Sequence, residues 1–216
     1  MDTQLTNMQA LLDRPAVKWI LIANIVFFPI GLIIGGGKDF QALGLIPFTF
    51  TFQLENGNLL SCLATLLRHQ FFHVNLAHLF SNMLFLVAVG LPLEYALGTR
   101  RFMILYLLCG MLSGLGLVLS APNLILPLVG ASGAIAGLMG AALVLTRDQP
   151  LGQLPIINFT VRAKHVIVVW LLWQFDLLIQ SAGSPLAGQM VVHISGLAAG
   201  FVIANIWKAM VVRTSE

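Results

Sequence analysis

Long uncharged apolar runs alternate with short polar breaks along this chain, and the lengths of the runs set its architecture. Trp19 to Gly37 carries no charge and suits a first membrane-crossing helix of about 20 residues, with Pro29 as a candidate kink. Residues 38–72 form a long loop holding Lys38, Asp39, Glu55 and Arg68. Its Phe48, Phe50 and Phe52 alternate with threonines, which suits a segment lying at headgroup depth as well as an ordinary connection. His73 to Leu93 reads as a second span that ends near Gly90, Glu94 and Gly98. The uncharged run from Phe102 to Thr146 is too long for one helix and breaks at Ser120-Ala121-Pro122-Asn123, giving spans at 102–121 and 131–146. After a polar loop with Arg147, Asp148, Arg162 and Lys164, a fifth span runs from Val166 to Ile179. Ser181 to Gly188 is an uncharged turn, and Met190 to Val212 is a sixth span. The expected organisation is a tail at 1–18, an all-α polytopic domain of six transmembrane helices at 19–212, and a tail at 213–216.

Composition strengthens the membrane reading. Of the 216 residues 58% are hydrophobic and 9% charged, with mean hydropathy +0.93, whereas soluble domains carry about 25% charged residues. The net charge of +3 does not point to nucleic acid, because the basic residues stand singly or in pairs beside apolar runs. Cys62 falls in the loop and Cys109 in mid-membrane, too different in environment to imply a disulfide. The N-terminal tail is polar and of mixed charge, without the apolar core and cleavage site of a signal peptide, so the first span is expected to persist in the mature protein.

Six spans put both termini on one side. Arg14, Lys18, Arg100, Arg101, Arg147, Arg162, Lys164, Lys208 and Arg213 fall on that side, and of the 11 Lys and Arg only Lys38 and Arg68 fall opposite. The positive-inside rule assigns the terminal side to the cytoplasm. Spans two, four and six then all enter from the outer face. His73, His78 and Asn82 open span two, Ser132 opens span four, and His193 lies one turn into span six. Three polar clusters distant in sequence thus reach one depth below the outer surface.

That depth is where chemistry can occur. A serine hydroxyl needs a base within about 3 Å to become a nucleophile, and His193 is the best-placed base for Ser132. The flanking Gly130-Ala131-Ser132-Gly133, with Gly137, Gly140 and Ala141 on span four and Gly196, Gly200 and Ala204 on span six, supplies small residues that let two helices approach closely. Such stripes also serve packing alone; flanking a serine and a histidine, they are more informative. His78 and Asn82 are four residues apart and share a helix face. With the Ser132 backbone N–H they can form an oxyanion hole.

The ordered set His73-x4-His78-x3-Asn82, Gly90-x3-Glu94-x3-Gly98-x2-Arg101-Phe102, Gly130-Ala131-Ser132-Gly133, Trp173-Gln174-Phe175-Asp176 and His193-x2-Gly196-x3-Gly200 resembles the rhomboid intramembrane serine proteases of six-span, bacterial type, over about residues 15–212. The resemblance implies that Ser132 is the nucleophile, His193 its general base and later acid, and His78 and Asn82 the oxyanion donors. It implies a water-filled cavity open to the outside, a first loop partly in the outer leaflet and lateral entry beside span five. The chain departs from the family pattern at two places. A Trp-Arg pair common in the first loop is replaced by Ala64 and Thr65, with Arg68 nearer. An aromatic one turn after the nucleophile is replaced by Ala136, so other neighbours must orient His193.

No carboxylate obviously completes a triad. Glu94 lies at the cytoplasmic end of span two, where it is expected to cap or pair near Arg100 or Arg101, and Asp176 is read as structural or gating, leaving a Ser-His dyad. A metal site is the competing use of the histidines, but there is no HExxH motif and His73 and His78 point to different faces. His69 and His165 are expected to be solvated. No cofactor and no metal are expected. The expected partners are transmembrane protein substrates and membrane lipid, with no nucleic acid, and the expected location is a plasma membrane of bacterial inner-membrane type. Two rivals stand beside the endopeptidase reading. A catalytically silent rhomboid-like protein that binds transmembrane helices would be expected to lack Ser132 or His193, and a small transporter would be expected to show internal repeats or a charged midplane site.

Overall fold

The computed structural model describes residues 14–35, 40–154, 159–180 and 188–213. Lys38, Asp39, most of the N-terminal tail, the turn expected after Ile179 up to residue 187, and residues 214–216 lie outside the described residues. The architecture is predominantly helical. Helix α1 spans Pro15–Ile34, α2 Pro47–Glu55, α3 Leu59–Arg68, α4 Leu76–Leu97, α5 Thr99–Ser120, α6 Ser132–Leu145, α7 Ala163–Gln180 and α8 Gly188–Arg213. Among the described residues α1, α4, α5 and α8 are long and apolar enough to cross a membrane, while α6 is apolar but only 14 residues long.

Several boundaries differ from those read off hydropathy, each for a local reason. Helix α1 begins at Pro15, before the uncharged run, because Glu94 reaches its N-terminus. The carboxylate accepts the backbone N–H groups of Ala16 and Val17 at 3.0 and 2.9 Å, and the Thr99 hydroxyl at 2.9 Å. A helix start leaves its first N–H groups without intrahelical partners, and a buried carboxylate there satisfies two of them and favours the positive end of the dipole. Glu94 therefore caps α1 rather than pairing with Arg100 or Arg101. The helix passes through Pro29 without interruption. Helix α4 starts at Leu76 rather than His73, since the Asn75 side chain accepts the His78 N–H at 2.8 Å as an N-cap.

The long loop is built of helices. In α2 the three phenylalanines follow helical spacing, so Phe48 and Phe52 are exposed on one side and Phe50 is buried on the other. Helix α3 buries Cys62, Thr65 and Leu66 and exposes Leu59, Leu60, Leu63 and Leu67. These exposed apolar faces suit headgroup depth. A 3-10 turn, His69–Phe71, then leads toward α4. Arg68 donates from Nε to the Leu43 carbonyl at 3.1 Å, and Leu45 and Leu128 exchange backbone bonds of 2.9 and 2.8 Å, tying the loop to the segment before α6. Between α6 and α7, where a polar loop is expected, the strands β1 (Pro150–Leu154) and β2 (Phe159–Arg162) pair antiparallel. At the base of this hairpin Asp148 binds Lys164 at 2.7 Å and Arg147 at 3.2 Å, and these exposed pairs hold its carboxyl below the usual range.

Helix α6 is the centre of the bundle: every residue from Gly133 to Ala142 is buried. Apolar side chains gain little by leaving lipid for protein, so helices in a membrane associate through close packing of small residues. Here that packing reaches backbone contact. A Cβ on Gly196 would strike the Gly133 carbonyl, one on Gly200 the Gly137 carbonyl, and one on Gly140 the Leu197 carbonyl.

Candidate functional site

The shortness of α6 puts its first residue inside the protein. At about 1.5 Å per residue it is about 21 Å long, against about 30 Å for a bilayer core. Its first intrahelical bond runs from the Ile135 N–H to the Ala131 carbonyl at 2.9 Å, which leaves the Ser132 N–H at the helix mouth without an intrahelical acceptor. Ser132 therefore offers a hydroxyl and a backbone donor from one residue, at the positive end of a buried helix.

The close approach of α6 and α8 brings His193 to that residue. Nε2 of His193 and Oγ of Ser132 are 2.9 Å apart, a hydrogen bond between side chains from two different helices. His193 is buried, and its Nδ1 has no hydrogen-bond partner among the described residues. Among the described residues no hydrogen bond to a carboxylate orients the imidazole, and Asp176 sits on an exposed stretch of α7. Ser132, His193, His78 and Asn82 all line one cavity of about 640 Å³, walled by α4, the segment Leu124–Val129, α7 and α8. Asn82 donates from Nδ2 to the His78 carbonyl at 2.9 Å, which uses one of its two amide hydrogens and leaves the second for a ligand.

The loop before Ser132 is fixed by the 3-10 turn. The Gly130 N–H donates to the His69 carbonyl at 2.9 Å, and the Ala131 N–H points at Nε2 of His73 at 3.5 Å. Gly130 has φ of 127°, which side-chain-bearing residues rarely adopt, and a Cβ there would lie 2.7 Å from the His78 ring. His73 and His78 meet edge to face with ring centroids 5.0 Å apart. His69 is not solvated: it is 1% exposed, its Nδ1 lies 3.1 Å from the Thr65 carbonyl, and burial pushes its imidazole down to about 4. Burial, reinforced by neighbouring His78, takes His73 to about 3. Both rings are thus neutral supports of the loop. His165 is half-buried and accepts the Arg162 N–H at 3.0 Å.

Hydropathy did not single out the aromatic wall of the cavity. Trp170 packs on His193, with ring centroids 5.4 Å apart and planes at 60°. One turn on, Trp173 stacks with Phe85 of α4 at 6.0 Å. The signal available was spacing: Ala163, Ile167, Trp170 and Gln174 recur at helical intervals and are buried positions of α7. Ala136 is fully buried and places no ring on His193.

Comparison with known proteins shows the family of the chain. The family model of the rhomboid domain matches residues 61–209, a stretch that includes His78, Asn82, Ser132 and His193. The putative rhomboid protease YdcA of Bacillus subtilis (strain 168) is 31% identical over 134 residues, 61% of this chain and 61% of that protein. The rhomboid protease GluP of the same organism is 30% identical over 132 residues, 61% of this chain and 24% of that protein. RHOMBOID-like protein 4 of Arabidopsis thaliana is 32% identical over 150 residues, 69% of this chain and 33% of that protein. The match thus covers about three fifths of YdcA and smaller shares of the other two. Apolar helices around a buried glycine-rich centre, together with a family match across most of the chain, make this a multi-pass membrane protein that belongs to the rhomboid family.

Proposed function

We propose that this chain is an intramembrane serine endopeptidase that hydrolyses peptide bonds in or near transmembrane segments of membrane proteins. The observation that carries the reading is the 2.9 Å bond between Ser132 Oγ and His193 Nε2 at the mouth of α6, inside a cavity. In this mechanism His193 Nε2 takes the Ser132 proton as Oγ attacks the scissile carbonyl carbon. The resulting oxyanion is held by the Ser132 N–H, the free amide hydrogen of Asn82 and the His78 ring, donors aimed where charge develops. His193 then gives its proton to the leaving amine, the C–N bond breaks, and an ester remains on Ser132. Water, deprotonated by His193, hydrolyses that ester and restores the serine.

The residues act as a dyad, with His193 as base and then acid. Six spans, with α6 and α7 as the fourth and fifth, put both termini in the cytoplasm by the distribution of Lys and Arg, and the catalytic mouth toward the outer face of a bacterial inner membrane. The substrate arrives through lipid, where a helix hides its carbonyls in internal hydrogen bonds, so it must unwind locally before Ser132 can reach one. Glycine, proline or small residues near the cleaved bond are therefore favoured, and a run of leucines there slows hydrolysis.

The test is reconstitution of the full chain in liposomes with single-span model substrates, reading the products by mass spectrometry. Cleavage near the outer end of the segment by the wild type, lost in Ser132→Ala, is the expected result. Equal cleavage by Ser132→Ala would overturn the proposal.

A further inference from the structure

His193 is held to Ser132 by one hydrogen bond, while its other ring nitrogen is buried without a partner among the described residues. A single bond leaves an imidazole free to pivot about that axis, so another contact must fix the plane of the ring. The nucleophile's own helix does not supply it. Ala136 is fully buried, and a Cβ built on Gly196 would lie 3.4 Å from the Ala136 Cβ, so α6 and α8 meet there without space for a ring between them.

Helix α7 does supply a ring. Trp170 is 4% exposed and occupies one of the inward positions of α7, between Ile167 and Gln174, whereas Val168, Val169, Leu171 and Leu172 are exposed. Its indole meets the His193 ring at a centroid distance of 5.4 Å and an angle of 60°. We propose that Trp170 is the positioning residue of His193, taking from α7 the part that a second hydrogen bond or a ring on α6 would otherwise play. This rests on the reading of Ser132 and His193 as a catalytic dyad. An edge-to-face contact restricts the imidazole plane, and an indole within about 6 Å attracts the imidazolium that forms when the serine proton moves. The contact therefore acts on proton transfer, whereas a role of Trp170 confined to the cavity wall would act on KM alone.

The test compares Trp170→Phe with Trp170→Leu in the purified full chain, since both keep apolar bulk and only one keeps a ring. Two rates are read. One is modification of Ser132 by a small fluorophosphonate, in which the Oγ–P bond forms, fluoride leaves and the serine proton passes to His193. The other is cleavage of a single-span substrate in liposomes, resolved into kcat and KM. Trp170→Phe stays within about twofold of wild type, while Trp170→Leu loses about three- to tenfold in the phosphonate rate and in kcat with KM unchanged. Equal rates for the two variants, or a change confined to KM, would overturn the proposal. Should Trp170→Leu fail to fold, Trp170→Met carries the same comparison. A wild-type protein left unmodified at Ser132 refutes the dyad and this inference with it. A modified wild type matched in both rates by the Leu variant refutes the inference alone.

Discussion

Helix α6 meets α8 closely and α7 only lightly, and the two contacts follow opposite rules. Toward α8 the surfaces are glycine and alanine, the backbones touch, and one added methyl at Gly200 would collide with the Gly137 carbonyl. Toward α7 contact is light, the inward face is a narrow strip, and the space is filled by a cavity and the rings of Trp170 and Trp173. The tight side holds Ser132 and His193 in register. On the function proposed above, the open side is the one that would admit water and substrate. The proposed activity would need both, because a dyad tolerates little misplacement while a transmembrane substrate would have to reach it through the membrane.

Substitutions on the two sides should separate accordingly. The largest loss of stability is expected from Gly200→Leu, which forces α6 and α8 apart; a penalty of about 3 kcal/mol or more, read as detergent-denaturation stability, fits overpacking against backbone. A small effect would mean that the two helices are not in backbone contact. On the cavity wall Asn82→Ala should lower kcat about 10²-fold with little change in KM and in stability, as expected for the removal of one oxyanion donor. A change in KM alone would place Asn82 in substrate binding. Far from the cavity, Glu94→Gln should destabilise the fold by about 1–2 kcal/mol, since the amide keeps one acceptor oxygen for the two N–H groups at the start of α1 that Glu94 caps. Phosphonate reactivity per folded molecule should not move.

A smaller effect is expected from pH at the turn that holds the Ser132 loop. His69 has its folded pKa pushed down to about 4 against an unfolded value of about 6.5. Between those values the unfolded chain binds more protons than the folded one, so stability falls as pH drops through that window and is intact above it. His69→Gln should make that fall shallower; an unchanged slope would mean the ring is not buried neutral. Smallest of all, Val168→Ala on the exposed face of α7 should stay within about 0.5 kcal/mol, the contrast that Gly200 is set against.

Uncharged runs pointed to the helices, and the four polar residues that charge and hydropathy assign to one depth, His78, Asn82, Ser132 and His193, line one cavity in the fold. What hydropathy could not reach was decided by particular side chains. Helix α1 starts early because Glu94, far away in sequence, caps it. The first loop is helical because Phe48, Phe50 and Phe52 divide between two faces of one turn-by-turn surface, a pattern too short to distinguish by periodicity. His69 looked like a loop residue exposed to water, yet its carbonyl and ring are both used to brace Gly130 and the turn. The hairpin between α6 and α7 has a bulge between Pro150 and Gly152 that breaks its alternation. Trp170 was hidden in an apolar run, where a tryptophan facing a histidine and one facing lipid look alike.

The most direct measurement is the rate at which a fluorophosphonate forms a covalent adduct on Ser132, located by peptide mass spectrometry, in wild type, Ser132→Ala and His193→Ala. The geometry predicts a single adduct on Ser132 in the wild type, none in Ser132→Ala, and formation slowed by about 10³-fold or more in His193→Ala, because the hydroxyl has lost its base. An adduct on another residue, or a His193→Ala protein that reacts as fast as wild type, would contradict the pairing of this serine with this histidine.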